Sequence, residues 1–202
     1  MKDKNLEIVS VAQDTGGVKD AGPWITAAKP AFTVLIDQEH LVSKLYNMVN
    51  VPTGVWINEK GRIVRPNETA FVDDRFKSFH GMDFSPYISA IKDWAEKGDA
   101  SAFAMSEDRL REKLTPSDPN IALAAAEFGL GEHLYKTGHL DAAIPHFKEA
   151  QRLNPKSWNY KRQAWALSDA KRDYGTTFKE EVDKIGGSKV YYAPPDLPGE
   201  KK

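Results

Sequence analysis

The stretch TVLIDQEHLVSKLYNMVNVPTGVWINEKGRIVR, residues 33–65, decides how the rest of this 202-residue chain is interpreted. It opens with an apolar strand, continues with apolar residues at helical spacing, and then runs through Val51-Pro52-Thr53 into a second apolar strand. The turn Asn58-Glu59-Lys60-Gly61 follows, and its glycine supplies the positive backbone dihedral that a short hairpin needs. The pattern predicts a strand, a short helix and an antiparallel hairpin in succession.

The residues before this stretch predict a parallel strand pair. Leu6 to Val11 is rich in Val and Ile and reads as a buried strand, while Pro23 opens a helix that runs to Lys29. A second strand is predicted at residues 32–36, and a strand-helix-strand order favours a parallel arrangement. Together with the hairpin and a covering helix from Pro86, this predicts an α/β fold built on a mixed sheet.

The order of these elements, with Val51-Pro52-Thr53 between the helix and the hairpin, resembles thioredoxin-fold proteins of the TlpA/ResA and peroxiredoxin-like (redoxin) group. The resemblance covers residues 5–97, close to the C-terminal two-thirds of such a domain. It implies a partial thioredoxin-like mixed sheet with flanking helices at residues 1–98. It also implies a cis Val51-Pro52 bond, with the Val51 backbone open to an extended peptide. Val51 and Pro52 are therefore the predicted substrate-binding residues.

The chain has no cysteine, whereas the family it resembles works through cysteines. The family's first strand and the helix that carries the cysteine motif would precede Met1, and that strand is normally central. Three explanations stay open: an expressed fragment or truncated gene model, a strand supplied by a second chain, or a sheet rebuilt after loss of redox chemistry. No catalytic residue is predicted, and the chain as it stands is expected to be redox-inactive.

Beyond a predicted linker with a short helix at residues 99–118, the pattern becomes helical. Residues 119–185 are expected to form a helical hairpin and a closing helix from Trp158 to Asp173, and residues 186–202 an extended, peripheral tail. Ala124 to Ser157 resembles one tetratricopeptide repeat. The matching residues are Leu130, Gly131, Leu134, Gly138, Ala143, Phe147, Ala150 and Pro155.

A lone repeat cannot bury its own apolar face, so it is expected to dock on the α/β part or on another subunit. If it binds a partner, the inner face of its first helix presents the predicted partner-binding residues Phe128, Glu132, Tyr135 and Lys136. The alternative is that these side chains pack internally.

The charge composition limits the classes of partner that we expect for this chain. Lys plus Arg (28) and Asp plus Glu (29) nearly cancel, so neither nucleic acid nor an anionic membrane is an expected partner. No run is long enough for a transmembrane helix and no secretory signal is evident, so a soluble chain of unassigned compartment is expected. The five histidines lack metal-ligand spacing and are interpreted as surface or loop residues, so neither a metal nor a cofactor is predicted.

Two functions follow as hypotheses. The first is a member of the thiol-disulfide oxidoreductase/redoxin family that is inactive alone and forms the downstream part of a redox protein. The second is a non-catalytic module that binds a protein or peptide through the thioredoxin-like groove and the helical hairpin. A homodimer formed by strand exchange is compatible with either hypothesis.

Overall fold

A computed structural model describes residues 6–114 and 118–199, and these ranges form a mixed α/β structure. The sequence predicts a boundary at Thr115-Pro116-Ser117-Asp118-Pro119, and the first three of these residues lie outside the described residues. The strands are β1 (Val9–Gln13), β2 (Thr33–Asp37), β3 (Thr53–Ile57) and β4 (Ile63–Thr69). The helices are α1 (Val18–Ala28), α2 (Leu41–Leu45), α3 (Lys77–His80), α4 (Ser85–Lys97), α5 (Glu107–Leu114), α6 (Asn120–Lys136), α7 (Leu140–Leu153), α8 (Trp158–Ala166), α9 (Ala170–Tyr174), α10 (Phe178–Lys184) and α11 (Ser188–Tyr191). None of these helices is both long and apolar enough to span a bilayer.

The described strands form two separate two-stranded sheets, whereas the sequence predicts one mixed sheet. Strands β1 and β2 are parallel, with Val9 opposite Thr33 and Gln13 opposite Asp37. Strands β3 and β4 are antiparallel and are joined by the predicted turn, in which Gly61 has a φ of 72°. No described strand pairs with both β1 and β3, so the four strands do not form one sheet.

The chain divides into two compact units that do not follow sequence order. The hairpin unit contains residues 6, 50–114 and 179–199, and the parallel unit contains residues 7–49 and 118–178. The core of the hairpin unit is aromatic. Its buried members are Trp56, Val64, Phe71, Phe84, Tyr87, Ala90, Trp94 and Leu197.

Trp56 on β3 joins the sheet to α4 in this core. Its indole nitrogen donates to the Tyr87 hydroxyl at 3.0 Å, and its ring stacks on Trp94 at 5.1 Å between centroids. The apolar side of α4 therefore covers one face of the hairpin, as its sequence periodicity predicts.

The segment after Gly186 differs from the expected extended, peripheral tail. Residues 188–191 form α11, and both Tyr191 and Leu197 are buried. The reason is that these two large apolar side chains lie within an otherwise proline-rich segment, and their burial outweighs the extended tendency of the prolines.

The sequence predicts a helix at residues 121–136 that stops at Gly138 and a second at residues 140–153 that stops at Asn154-Pro155. The bounds of α6 and α7 agree with this prediction to within one residue. The closing helix is shorter than predicted. It breaks after Ala166, and α9 starts where the Asp169 side chain accepts a hydrogen bond from the backbone N–H of Arg172. The resemblance to a tetratricopeptide repeat stays a prediction.

Close approach of α6 to α7 requires glycine at position 131. A Cβ atom added to Gly131 would lie 2.7 Å from two ring carbons of Phe147, whose side chain is completely buried. A Cβ at Gly129, two residues earlier in the same helix, would meet only the terminal nitrogen of the Lys44 side chain, at 3.5 Å. The two glycines therefore differ in packing but share the same helix.

We expect Gly131→Ala to destabilise the chain and Gly129→Ala to be neutral or stabilising. Alanine gains about 1 kcal/mol of helix propensity at either position, but overpacking against Phe147 costs about 1–3 kcal/mol at position 131 alone. Urea unfolding of the two variants measures the difference. Equal unfolding free energies would contradict the close helix contact.

Candidate functional site

The Val51–Pro52 peptide bond is cis, and both residues are half-buried in the hairpin unit. The carbonyl of Val51 accepts a hydrogen bond from the Tyr192 hydroxyl at 3.3 Å, and its N–H donates to Asn50 Oδ1 at 2.9 Å. The Pro52 carbonyl accepts from the backbone N–H of Ala70 at 3.2 Å. The Val51 backbone, expected to be open to a peptide, is thus occupied by groups of its own unit.

The four predicted partner-binding residues face other residues of the parallel unit. Phe128 is buried, stacks on Tyr160 at 4.5 Å and meets His40 edge-on at 5.6 Å. Glu132 is buried as well, and Tyr135 packs against the apolar core that contains Phe128. The Lys136 ammonium donates to the Gln38 carbonyl at 3.2 Å and pairs with the carboxylate of Glu39 at 2.5 Å.

Glu132 belongs to a polar cluster, which we define as Thr15, His40, Glu132 and Gln163. The first three residues are buried, and Gln163 is half-buried. The Thr15 hydroxyl oxygen lies 3.0 Å from Glu132 Oε1, 3.1 Å from Gln163 Oε1 and 3.1 Å from His40 Nε2. His40 Nε2 is also 3.4 Å from Glu132 Oε1. Four side chains from separate parts of the chain therefore meet around one hydroxyl group.

Topology explains why these residues meet. Thr15 follows β1 and His40 follows β2, and parallel neighbours end at the same edge of their sheet. Glu132 comes from α6 and Gln163 from α8. The amide of Gln163 also bridges to the backbone, since Nε2 donates to the Gln13 carbonyl and Oε1 accepts from the Thr15 N–H, both at 3.3 Å.

The Thr15 hydroxyl has more neighbours than it has protons. A hydroxyl has one proton to donate and two lone pairs to accept with. Both Glu132 Oε1 and Gln163 Oε1 lie within reach of that proton, and a lone pair accepts from His40 when the imidazole is protonated at Nε2.

Burial shifts the pKa values of both ionisable members of the polar cluster, Glu132 and His40. Desolvation raises the pKa of Glu132 to about 7, against the opposing effects of the Thr15 hydrogen bond and the Lys136 charge. Desolvation also lowers the pKa of His40, against the attraction of Asp37 and Asp14. The carboxyl group and the imidazole are thus both biased towards their neutral forms.

Chemically, the polar cluster is a docking contact. Thr15, His40 and Glu132 are the residue types of a nucleophile-base-acid set, but each is less than a tenth exposed, so a substrate does not reach the hydroxyl. The contact holds α6 and α8 on the carboxyl ends of β1 and β2. Across residues 6–114 and 118–199, no group of three or more His, Asp or Glu side chains is arranged to hold a metal ion.

Sequence reasoning missed Thr15 and Gln163. It interpreted the histidines as surface or loop residues, which is wrong for His80, a buried residue at the end of α3. His40 does lie in the loop between β2 and α2, but it is also buried, and each of the two imidazoles packs against a phenylalanine ring. The available signal was positional: Thr15 and His40 each come shortly after a strand predicted to be parallel. No local pattern links either of them to Glu132 or Gln163, which lie more than 90 residues away along the chain.

We expect Glu132→Gln to stabilise the chain at pH 8 and to have little effect near pH 4.5. The folded pKa of Glu132, about 7, lies above its ordinary value of 4.5, so the cost of burying the carboxylate grows as the pH rises between these values and is complete above 7. Glutamine keeps the oxygen that accepts from Thr15. At about 1.4 kcal/mol per pH unit, the gain is up to about 3 kcal/mol.

Urea unfolding of both proteins across this pH range measures the effect. Glu127→Gln is the matched control, because Glu127 lies on the same helix but is partly exposed and pairs with His146 at 2.7 Å. The control variant should gain no stability at pH 8. A Glu132→Gln variant that is less stable than the natural chain at pH 8 would show that the carboxylate is favourably paired.

Comparison of the chain with models of protein families, with curated proteins and with solved structures gives no match. The geometry described above is therefore the basis for a functional assignment.

Proposed function

We propose that this chain is the cysteine-free, substrate-facing part of a thioredoxin-like thiol-disulfide protein of the redoxin group, and that its own residues carry out no redox step. The reacting strand and helix come from polypeptide outside the described residues, in the same molecule or in another. The observation that carries the proposal is the separation of the strands into a parallel pair and an antiparallel pair.

This separation fits the resemblance drawn from the sequence. The family's cysteine-bearing strand lies between the strands that correspond to β1 and β3, and these are the two strands that no described strand joins. The peptide bond before Pro52 has the conformation that the resemblance implies. With no cysteine, the chain has neither a thiolate nucleophile nor a resolving thiol.

The exposed apolar residues of the parallel pair also support an incomplete sheet. Val9 and Leu35 are 54% and 52% exposed, and the register places them on the same face, because Leu35 lies opposite Val11. Parallel strands are normally covered on both faces. An additional strand with its helix would pair with the edge of β1 and cover this face.

The second candidate is a non-catalytic interaction module in which a second copy supplies the missing strand. The same exposed face and unpaired strand edges favour it, since edges of this kind readily pair with another chain. The two candidates differ in what completes the sheet, and the oligomeric state separates them.

We expect the purified chain to reduce neither insulin disulfides nor hydrogen peroxide above the rate of the reductant alone. The reason is that no side chain present forms a mixed disulfide or a sulfenic acid. A cysteine-containing thioredoxin in the same assay is the positive control. Turnover that increases with the concentration of this chain would refute the proposed lack of redox activity.

For the second candidate, we expect concentration-dependent dimers in sedimentation velocity, weakened by Val9→Lys with Leu35→Lys. Charges on this face should raise the dimer dissociation constant at least about tenfold, because each must be desolvated in the interface. Val72→Lys, at an exposed valine of the hairpin unit, is the matched control. A monomer at every concentration would rule out strand supply by a second copy.

A further inference from the structure

The C-terminal part of the hairpin unit lies against a surface that holds it through specific polar and apolar contacts. We call residues 188–197 the internal segment. Its sequence is SKVYYAPPDL, and polar, ionic and apolar contacts hold three separate places along it. All of these contacts lie within the hairpin unit.

The first anchor is the tyrosine pair. The Tyr192 hydroxyl donates to the Val51 carbonyl at 3.3 Å, and its ring meets Phe71 edge-on at 5.1 Å. The side chain of Asn50 contacts Tyr191 twice: Nδ2 donates to the Tyr191 carbonyl at 3.2 Å, and Oδ1 accepts from the Tyr191 hydroxyl at 3.1 Å. The Asn50 amide thus forms hydrogen bonds with both the backbone and the side chain of Tyr191.

The second anchor is Asp196, which is recognised through its side chain and its backbone. Its carboxylate pairs with Arg109 and with Lys113, the latter at 3.0 Å. Its carbonyl accepts from the Arg65 guanidinium, and its N–H donates to Glu68 Oε1 at 3.3 Å. Lys113 and Arg109 hold the pKa of the Asp196 carboxyl well below its usual range, because both donate hydrogen bonds to it.

The third anchor is Leu197, which is buried in the aromatic core with Trp56 and Trp94. Between the first and second anchors the chain is Ala193-Pro194-Pro195, and it has no regular secondary structure. Proline restricts the backbone before binding, so less conformational entropy is lost when the segment is held in an extended form. The anchors are therefore presented at a nearly fixed spacing.

We propose that this surface is a recognition site for extended peptides of the form Tyr-x-Pro-Pro-Asp-Leu, and that the internal segment is its intramolecular ligand. A partner that presents a tyrosine four residues before an Asp-Leu pair, with prolines between them, competes for the same contacts. Arg109 and Lys113 give the surface its preference for an acidic residue, and the Val51 carbonyl gives it a preference for tyrosine at the first position of this motif. Asn50 contacts the residue that precedes the motif, Tyr191. The site does not depend on the proposed thiol-disulfide ancestry.

Covalent attachment keeps the internal segment at a high effective concentration, so an external peptide binds only when this segment is weakened. The test uses the full chain with Tyr192→Phe and Asp196→Asn, which remove the hydroxyl and the charge but keep the shape of both side chains. The probe is a fluorescently labelled peptide of residues 187–199. We expect saturable binding to this variant, at least about tenfold tighter than to the natural chain.

Two matched controls separate recognition from loosened structure. In the chain, Val190→Ser changes an exposed residue of the same segment and should not admit the probe. In the probe, Tyr192→Phe with Asp196→Asn should weaken binding at least about tenfold. Equal binding of the natural and altered probes would overturn the proposal, because it would indicate apolar contact without recognition of the two polar anchors.

A second measurement is needed for the case in which the substituted internal segment still occupies the surface and blocks the probe. A protease site placed between Gly186 and Gly187 in the full chain allows the internal segment to be cut from its covalent attachment. The cut segment should then exchange with the labelled natural probe, while circular dichroism confirms that the fold persists. Failure of the probe to exchange in the folded, cut protein would show that the segment is a permanent part of the core.

Discussion

Two strands alone do not bury enough apolar surface to be stable, and this constraint governs both units of the chain. Each two-stranded sheet is stabilised by segments distant in sequence. The parallel pair β1–β2 is joined at its carboxyl ends to α6 and α8 through the polar cluster. The hairpin β3–β4 is covered by α4 and contacts the internal segment through Arg65. Contacts with distant segments thus give each pair of strands the stability that further strands would give in a larger sheet.

The two long-range contacts satisfy buried polar groups in different ways. Arg65 is 1% exposed, and its guanidinium donates to the Glu68 carboxylate, the Phe103 carbonyl and the Asp196 carbonyl while lying over the Trp56 ring. These partners satisfy the hydrogen-bonding groups of a cation that burial removes from water. In the polar cluster, desolvation by burial outweighs the hydrogen bond that Thr15 gives to the Glu132 carboxyl, so this carboxyl group favours the neutral form. Of these two contacts, the polar cluster contains the carboxyl group whose pKa lies near neutrality.

Local sequence signals predicted several local elements and failed for the contacts between distant segments. One local prediction was also wrong, because α1 begins at Val18 and contains Pro23, which was predicted to open it. The turn at Asn58 to Gly61 and the ends of α6 and α7 depend on glycine, asparagine and proline nearby, so they could be predicted. Glu132 was identified as a site residue, but its partners Thr15 and Gln163 were not, because side-chain hydrogen bonds between distant segments leave no periodic pattern. The internal segment was misread because its prolines suggested an exposed tail, whereas Tyr191 and Leu197 decide its position.

The polar contacts along the internal segment bear on what this chain does. A terminal segment that only completes a core needs apolar burial, which Leu197 already supplies. The paired hydrogen bonds of Asn50 and the cations around Asp196 add directionality, and directional contacts discriminate between sequences more than they add stability. These directional contacts are the basis of the selectivity that we propose for this surface. A peptide that competes at Val51 would contact residues of the hairpin unit alone, so its binding is a separate question from what completes the sheet.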